Sequence, residues 1–352
     1  MISQFLEESK SKWKKLFLIL TGLLFLFLII SVSLGSVSIS PEGLAQYLIS
    51  GTAGSDSWDM ILSNFRFPKA ITAILVGAAL SVSGLQMQTL FRNPLAGPYV
   101  LGISSGAGLG VAIAIFLGFY FGGILDMSGI GRSWLLVVAA AIGSGMVLGI
   151  ISLAATKIKD SVTLLIIGLM FGAASGALVS ILQFFSQAEN IQAYVIWSFG
   201  SLGSLSWNEL SIFIPIIFIG LISSILLSKP LNALLLGENY AISLGVNIKK
   251  NRLLIILNTA VLAGTVTAFC GPIAFFGIAL PHLTRMLFNT TNHLLLTPLV
   301  MIFGATLMLI FDTIAQLPGM EATLPINSVT ALFGAPFVIY LLIRKRNLNY
   351  TY

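Results

Sequence analysis

The sequence predicts an all-helical protein that crosses a lipid bilayer many times, and three observations support this fold class. Of the 352 residues, 57% are hydrophobic and only 9% are charged, and the mean hydropathy is +1.00. Soluble domains carry about 25% charged residues, so this chain has too few charges to cover a water-facing surface. Long apolar runs also recur along the whole chain, and basic residues gather in alternate connections between them.

Ten apolar runs have lengths close to the roughly 20 helical residues that the hydrocarbon core requires. They leave little chain for an extramembrane domain, so we expect residues 1–352 to form a single transmembrane domain. The predicted spans are 16–35, 67–91, 99–120, 134–156, 162–185, 208–228, 252–270, 272–288, 295–315 and 327–343.

Three polar connections have distinct predicted structures. Residues 36–66 form the longest one and should hold a short surface helix around Gly43–Ile49. The segment Ala188–Trp207 should form a short interfacial helix and a turn. The segment Leu317–Pro325 begins and ends close to prolines, so it should not form a regular helix.

The positions of the basic residues predict the orientation. If the four lysines between positions 10 and 15 are cytoplasmic, ten spans place fifteen of the 18 basic residues inside. Only Arg66, Lys69 and Arg132 then lie outside. This bias follows the positive-inside rule and predicts that both termini are cytoplasmic. The net charge of +6 thus reflects membrane topology rather than nucleic-acid binding.

Several kinds of chemistry have no support in the sequence. His282 and His293 are the only histidines and have no carboxylate or thiolate nearby, so no metal site is predicted. No G-x-x-x-x-G-K-[ST] motif is present to bind ATP phosphates. No Ser-His-Asp or Cys-His arrangement indicates catalysis, and we predict neither a cofactor nor an enzymatic activity for this chain.

The segment Arg66–Gly110 carries a resemblance to a known family. It reads RFPKAITAILVGAALSVSGLQMQTLFRNPLAGPYVLGISSGAGLG, and its polar RNPLAGP hairpin is expected at a membrane boundary. The order R-x-P-K, G-A-A-L-x-x-S-G, R-N-P-L-A-x-P and L-G resembles the FecCD-type permeases of ABC importers. Gly271–Arg285 (GPIAFFGIALPHLTR) and the last span (LPINSVTALFGAPFVIYLL) resemble further motifs of that family, so the resemblance extends from Arg66 to Leu342.

This resemblance implies a fold, partners and a location. The fold is the type II ABC importer permease fold, and two copies of the chain form a homodimer around a central pathway. ATP-binding cassette ATPase subunits bind from the cytoplasm, and a periplasmic or lipid-anchored binding protein delivers the substrate. The location is the bacterial cytoplasmic (inner) membrane, and the cargo of the family includes iron–siderophore complexes, haem and cobalamin.

The cytoplasmic segment Leu231–Arg252 reads LNALLLGENYAISLGVNIKKNR and contains apolar residues broken by two glycines. A short amphipathic helix here could face a partner protein or rest on the bilayer. The resemblance favours the first interpretation, because the family pattern G-E-x-x-A-x-x-L-G-V is the element that couples the permease to the ATPase. The matching residues are Gly237, Glu238, Ala241, Leu244, Gly245 and Val246.

Arg66 and Lys69 lie one helical turn apart on the outer side, where basic residues are scarce. Alone they could anchor the helix to lipid headgroups. The resemblance assigns them to docking of the binding protein, whose carboxylates they would receive. The chain departs from the family pattern where it carries Gln316, Thr323 and Asn327 in place of a basic residue, Glu and Gly.

The fifth predicted span has small residues at four-residue spacing, which allow close helix packing. In the family this helix also lines the central pathway, so both roles stay open. The residues concerned are Gly168, Gly172, Ser175, Gly176 and Ser180. Separately, Gly77–Gly84 and Gly264–Gly271 have equal glycine spacing in oppositely oriented spans, which predicts an inverted-topology repeat.

The predicted function is that of a permease subunit in an ATP-driven importer, with an iron–siderophore complex as substrate and haem or cobalamin as alternatives. The other candidate is an ion- or proton-coupled secondary transporter that works without an ATPase. Such transporters usually need ionisable groups inside the membrane, and among the carboxylates here only Asp312 is predicted to lie within a span, near its outer end. The sequence therefore favours an external source of energy.

Overall fold

The computed structural model describes residues 2–118, 130–158, 161–317 and 322–345. In these ranges the chain is mainly helical and forms fifteen α-helices and one π-helix (Leu62–Arg66), without any β-strand. The α-helices are α1 (Ile2–Ser33), α2 (Pro41–Ser50), α3 (Asp56–Ile61), α4 (Phe67–Leu90), α5 (Ile103–Leu117), α6 (Ile130–Lys157), α7 (Ser161–Phe184), α8 (Ala188–Ser198), α9 (Trp207–Leu226), α10 (Ser228–Leu235), α11 (Glu238–Ser243), α12 (Ile248–Cys270), α13 (Phe276–Phe288), α14 (His293–Ala315) and α15 (Ile326–Lys345).

Local sequence signals explain where several helices begin and end. The hydroxyl of Ser40 accepts the amide of Gly43 at 3.1 Å, Pro41 starts α2, and Gly51 ends it with a φ of +78°. Ser206 forms a capping box with Glu209 at the start of α9. The short helices predicted for the two long connections are therefore confirmed as α2 and α8. Residues 318–321 of the predicted irregular connection lie outside the described residues.

Seven segments of the described chain are long and apolar enough to cross a membrane. They are Trp13–Ser33, Asp56–Leu90, Ser133–Ala155, Val162–Phe184, Trp207–Leu226, Ile248–Cys270 and His293–Ala315. This pattern confirms a multi-pass helical membrane protein, but the predicted count of ten spans is not confirmed. The other three predicted spans correspond to α5 with 15 residues, α13 with 13 residues, and α15, whose apolar part covers Ile326–Tyr340.

The helices α5 and α13 are short because each follows an irregular segment that enters the helical bundle. After α12 ends at Cys270, residues 271–275 are not helical, and α13 begins beside the middle of α4. There Gly277 packs so closely that a Cβ on Gly84 would lie 1.6 Å from its carbonyl oxygen. Hydropathy detects the apolar character of residues 272–288, but it does not reveal that residues 272–275 are not helical.

The RNPLAGP hairpin before α5 is partly buried inside the protein. Ala96 and Leu101 are at most 1% exposed, and Pro98 contacts Gly277 in the interior. The amide of Gly102 donates to the carbonyl of Tyr99 at 2.9 Å, so turns satisfy part of the backbone. The second half of the hairpin is therefore surrounded by protein rather than by lipid, as irregular backbone requires, and its position at a membrane boundary stays a prediction.

Contacts between the antiparallel helices α4 and α14 define two ends of the bundle. Nζ of Lys69, near the start of α4, lies 3.1 Å from a carboxylate oxygen of Asp312, near the end of α14. Oγ1 of Thr89, near the end of α4, lies 2.8 Å from Nε2 of His293, the first residue of α14. We refer to these as the Lys69 end and the His293 end.

The packing of the central helices is reciprocal. The triplet α4, α5 and α6 follows the same order as α12, α13 and α14, and the middle helix of each is short. The first helix of each triplet packs along the third helix of the other, α4 on α14 and α12 on α6. This arrangement supports the inverted repeat that the glycine spacing of Gly77–Gly84 and Gly264–Gly271 predicts.

Candidate functional site

The segment Leu231–Arg252 lies at the His293 end and is shaped by two glycine turns. Gly237 has a φ of +116° and Gly245 a φ of +79°, conformations that disfavour any side chain. Between them Ala241 is fully buried, and its carbonyl accepts the amide of Val246 at 3.0 Å. These residues, predicted for ATPase coupling, therefore determine the path of the backbone around α11.

Charged side chains hold this segment against the bundle. Oε1 of Glu238 lies 2.7 Å from Nη2 of Arg252, whose Nη1 donates to the carbonyl of Ile158 at 3.3 Å. Nη2 of Arg92 donates to the carbonyl of Leu234 at 3.1 Å. Because Arg252 is only 5% exposed, the Glu238 carboxylate offsets part of the free-energy cost of removing the guanidinium charge from water.

The other side of the segment is apolar and uncovered. Leu236, Tyr240, Ile242 and Leu244 are each more than half exposed. An open depression of about 670 Å³ lies beside them, and it is lined by Arg92, Leu236, Gly237, Glu238, Asn239, Tyr240 and Ser243. Several large apolar side chains exposed within one short segment, beside the charged groups of Arg92 and Glu238, indicate a protein interaction site. Of the predicted coupling residues, Leu244 belongs to this surface, and Tyr240 is a member that the motif did not indicate.

A cluster of polar side chains, buried at Thr89 and His293, connects α10 with α4 and α14. His293 is fully buried, with Nε2 2.8 Å from Oγ1 of Thr89 and Nδ1 3.0 Å from Oδ1 of Asn232. The same Oδ1 accepts the backbone amide of His293 at 2.8 Å, and Nδ2 of Asn232 donates to Asn292. We call Thr89, Asn232 and His293 the polar joint. From the sequence His293 is considered only as a metal ligand, and in the described residues no cluster of metal-ligating side chains occurs.

At the Lys69 end, Arg66 is engaged inside the chain. Its Nη1 donates to the carbonyl of Val32 at 2.9 Å and also to that of Leu34, and its Nη2 donates to Val37 at 2.6 Å. The side chain thus binds the carbonyls at the C-terminal end of α1 and is only 8% exposed. Docking through Arg66 stays a prediction, and it would require these contacts to open.

Lys69 is partly accessible beside its ion pair. Its side chain is 22% exposed, whereas that of its partner Asp312 is 3% exposed. Nε2 of Gln316 donates to the other carboxylate oxygen of Asp312 at 2.8 Å. Gln316, which departs from the family pattern, therefore stabilises the acid that holds Lys69. Oδ1 of Asn327, another departure, accepts the amide of Ala274 at 3.0 Å and fixes the segment that precedes α13.

The small residues of α7 have different surroundings. A Cβ on Gly168 would lie 2.5 Å from the carbonyl oxygen of Val100, so this glycine permits close packing inside the chain. A Cβ on Gly176 would meet no atom within 4 Å. Ser175 is buried, whereas Ser180 is exposed and donates to the carbonyl of Gly176 at 3.0 Å. The helix α7 thus provides a close packing contact at Gly168 and an exposed surface near Gly176 and Ser180.

A cavity of about 220 Å³ lies between α5, α7 and α8. Its lining is small, hydroxyl-bearing or aromatic: Ser104, Ser105, Gly108, Gly172, Gly176, Val179, Tyr194, Trp197, Ser198 and Pro272. Burial raises the pKa of the Tyr194 hydroxyl, so this group stays uncharged at neutral pH. None of these described lining residues is charged, so the cavity can accommodate an uncharged polar surface.

Known proteins resemble this chain over nearly its whole length. It is 35% identical over 322 residues to the hemin transport system permease protein HmuU of Yersinia pestis, covering 91% of this chain and 94% of the relative. It is 35% identical over 327 residues to the vitamin B12 import system permease protein BtuC of Klebsiella pneumoniae, covering 93% of each chain. It is also 35% identical over 324 residues to the molybdate import system permease protein MolB of Haemophilus influenzae, covering 90% of this chain and 92% of the relative.

A solved structure and a family model agree with these relatives. The structure, described as an inward-facing conformation of a metal-chelate type ABC transporter, has a TM-score of 0.81 and 32% sequence identity. The match covers 94% of this chain and 99% of that one. The model of the FecCD transport family matches residues 23–344. The chain therefore belongs to the FecCD transport family and is a multi-pass membrane protein of the ABC importer permease type.

Proposed function

We propose that this chain is the permease subunit of an ABC importer in a bacterial cytoplasmic membrane and that its substrate is an iron–siderophore complex. The observation that carries the proposal is the exposed apolar surface formed by Leu236, Tyr240, Ile242 and Leu244 at the His293 end. The charged side chains of Arg92 and Glu238 lie beside this surface. An ATPase subunit is therefore a better binding partner for it than lipid.

The His293 end is cytoplasmic in this proposal, and both termini lie on that side. Basic residues at this end are Arg92, Lys229, Lys249, Lys250, Arg252 and Arg285. At the Lys69 end, Arg66 and Lys69 are both engaged by internal partners. The difference agrees with the positive-inside rule and supports attachment of the ATPase at the His293 end.

Two copies of the chain form the pathway, and the open side of α7 near Gly176 and Ser180 faces it. A binding protein delivers the substrate to the Lys69 end, where the accessible part of Lys69 contributes to docking and Arg66 does so only if its carbonyl contacts open. ATP binding and hydrolysis in two partner subunits switch access between the two sides. This chain itself contributes no ATP-binding motif.

The proposed substrate is supported by chemistry that most of the reported relatives share. The named relatives transport hemin, vitamin B12 and molybdate, and the solved structure belongs to a metal-chelate type transporter. Three of these four cargoes are large metal complexes. The uncharged lining of the cavity beside Tyr194 suits the mixed polar and apolar surface of such a complex. Haem and cobalamin are the alternative substrates.

The test is reconstitution of this chain in liposomes with the ATPase and the binding protein encoded beside it. ATPase stimulation and uptake are measured with ferric siderophores, haem, cobalamin and molybdate. Stimulation and uptake with a ferric siderophore would support the full proposal, and a response to another ligand would replace the substrate. Failure to form a complex, combined with uncoupler-sensitive uptake by this chain alone, would favour the secondary transporter.

A further inference from the structure

The helices α4 and α14 are fastened to each other at three levels. Lys69 pairs with Asp312 at one end, and Thr89 contacts His293 at the other. Between these contacts the backbones touch, since a Cβ on Gly77 would lie 2.4 Å from the carbonyl oxygen of Gly304. Contacts at both ends and in the middle leave little freedom for one helix to slide or tilt along the other.

We propose that α4 and α14 form a rigid strut and that the polar joint of Thr89, Asn232 and His293 transmits movement of the ATPase-coupling segment to it. The inference rests on the proposed function, because it assumes that an ATPase binds at the His293 end. The strut ends at Lys69 and Asp312, where the binding protein docks. Movement at one face of the membrane thereby reaches the other face through a single pair of helices.

The polar joint is suited to this task because Asn232 lies on α10, directly before the coupling helix α11. One oxygen of Asn232 accepts both the backbone amide and Nδ1 of His293, at 2.8 and 3.0 Å, and its amide nitrogen donates to Asn292 at 2.8 Å. These bonds fix α10 to the first turn of α14. A displacement of α10 is therefore expected to displace the start of α14 as well.

The joint also reaches α4, so both helices of the strut respond together. Nδ1 of His293 lies 3.0 Å from Oδ1 of Asn232, and Nε2 lies 2.8 Å from Oγ1 of Thr89, whose hydroxyl also donates to the carbonyl of Leu85 at 2.9 Å. A second bond joins the neighbouring turns, in which Oγ of Ser228 on α10 donates to Oγ1 of Thr297 on α14 at 3.2 Å. Because Thr89 and His293 are buried, breaking their bonds leaves polar atoms without partners, which favours concerted movement.

A second link leaves the coupling segment in another direction. Glu238 on α11 binds Arg252, which contacts the end of α6 through the carbonyl of Ile158. This link leads to α12 and α6 rather than to the strut. The experiment must therefore separate loss of the polar joint from general loosening of the coupling segment.

The experiment uses the complete complex of this chain, its ATPase and its binding protein in liposomes. Thr89→Val removes the hydroxyl at almost constant volume, Asn232→Leu removes the amide, and Thr89→Ser keeps the hydroxyl. The matched control is Thr313→Val, because the hydroxyl of Thr313 donates within α14 to Leu309 at 2.8 Å. Complex stoichiometry, basal ATPase activity and its stimulation by the liganded binding protein are measured for each variant.

We expect Thr89→Val, which lies outside the coupling segment, to assemble normally, to keep basal ATPase activity within twofold, and to lose at least fivefold of the stimulation. Asn232→Leu should assemble and lose at least fivefold of the stimulation relative to its own basal activity. The double variant should lose no more than the stronger single variant, and Thr89→Ser and Thr313→Val should resemble the wild type. Wild-type stimulation in assembled Thr89→Val and Asn232→Leu complexes would overturn the strut while leaving the proposed function intact. A wild-type chain that neither binds the ATPase nor responds to the binding protein would overturn both.

Discussion

The contact of α4 with α13 at Gly84 makes a sharp prediction about helix packing. Replacing Gly84 with alanine adds a Cβ that would lie 1.6 Å from the carbonyl oxygen of Gly277 and 2.6 Å from its carbonyl carbon. Both opposing atoms belong to the backbone, so no side-chain rotation can make room. The helices α4 and α13 must therefore separate, and the neighbouring contacts must move with them.

The magnitude follows from two opposing effects. Inserting one extra carbon into a packed core costs about 1–3 kcal/mol, and a backbone clash places Gly84→Ala at the upper end. Alanine is favoured over glycine within a helix by about 1 kcal/mol, which offsets part of that cost. We therefore expect Gly84→Ala to reduce the free energy of unfolding by about 2 kcal/mol.

The assay is unfolding by SDS in mixed micelles, followed by circular dichroism. The matched control is Gly149→Ala on α6, because a Cβ on Gly149 would meet no atom within 4 Å. Gly84→Ala should unfold at a lower SDS fraction than the wild type, and Gly149→Ala at the same or a higher one. A Gly84→Ala midpoint at or above that of the wild type would refute the close packing of α4 on α13.

Three further predictions concern the two ends of the bundle. Arg66→Met removes a charged donor from three carbonyls of the α1 end and should cost about 2 kcal/mol of unfolding free energy; wild-type stability in the same SDS assay would contradict it. The double variant Leu236→Ser/Leu244→Ser should reduce ATPase co-purification at least tenfold. Its unfolding midpoint should not change, since both side chains are exposed. Undiminished co-purification would rule out this surface as the ATPase-binding site. Glu238→Ala removes the Glu238 carboxylate from the guanidinium of Arg252 and should cost about 1 kcal/mol of unfolding free energy, because Glu238 is partly solvent-exposed. Glu238→Gln should lose less, and equal losses would exclude a hydrogen bond between the two side chains.

The helices were largely predictable because their signals are local. Apolar runs, caps such as Ser40 and Ser206, and turn glycines such as Gly51 act within a few residues of their own position. Each of the ten predicted spans overlaps a helix, although only seven segments are long and apolar enough to cross a membrane. The predicted length of the span 272–288 was too long for α13, because a non-helical apolar segment and an apolar helix have the same composition.

The backbone turns of the segment Leu231–Arg252 were predictable for a different reason, whereas its role in ATPase coupling stays a prediction. Its motif combines glycines that need special backbone conformations with apolar residues that need a partner, and both requirements are written in the local sequence. The contacts of Glu238 with Arg252, and of Arg92 with Leu234, were not predictable, because their partners lie 14 and 142 positions apart in the chain. Lys69 and Arg66 illustrate the same limit, since their buried partners come from α14 and α1.

The sequence by itself determined that this protein is a helical membrane permease of the FecCD family, because composition, charge bias and short motifs are properties of contiguous residues. Only the tertiary structure decided which of those residues are available for partners. It buried Arg66 against the end of α1, left Leu244 exposed, and brought His293 to Asn232 and Thr89. These outcomes depend on how distant helices pack, and side-chain contacts across that packing have no local signature in the chain.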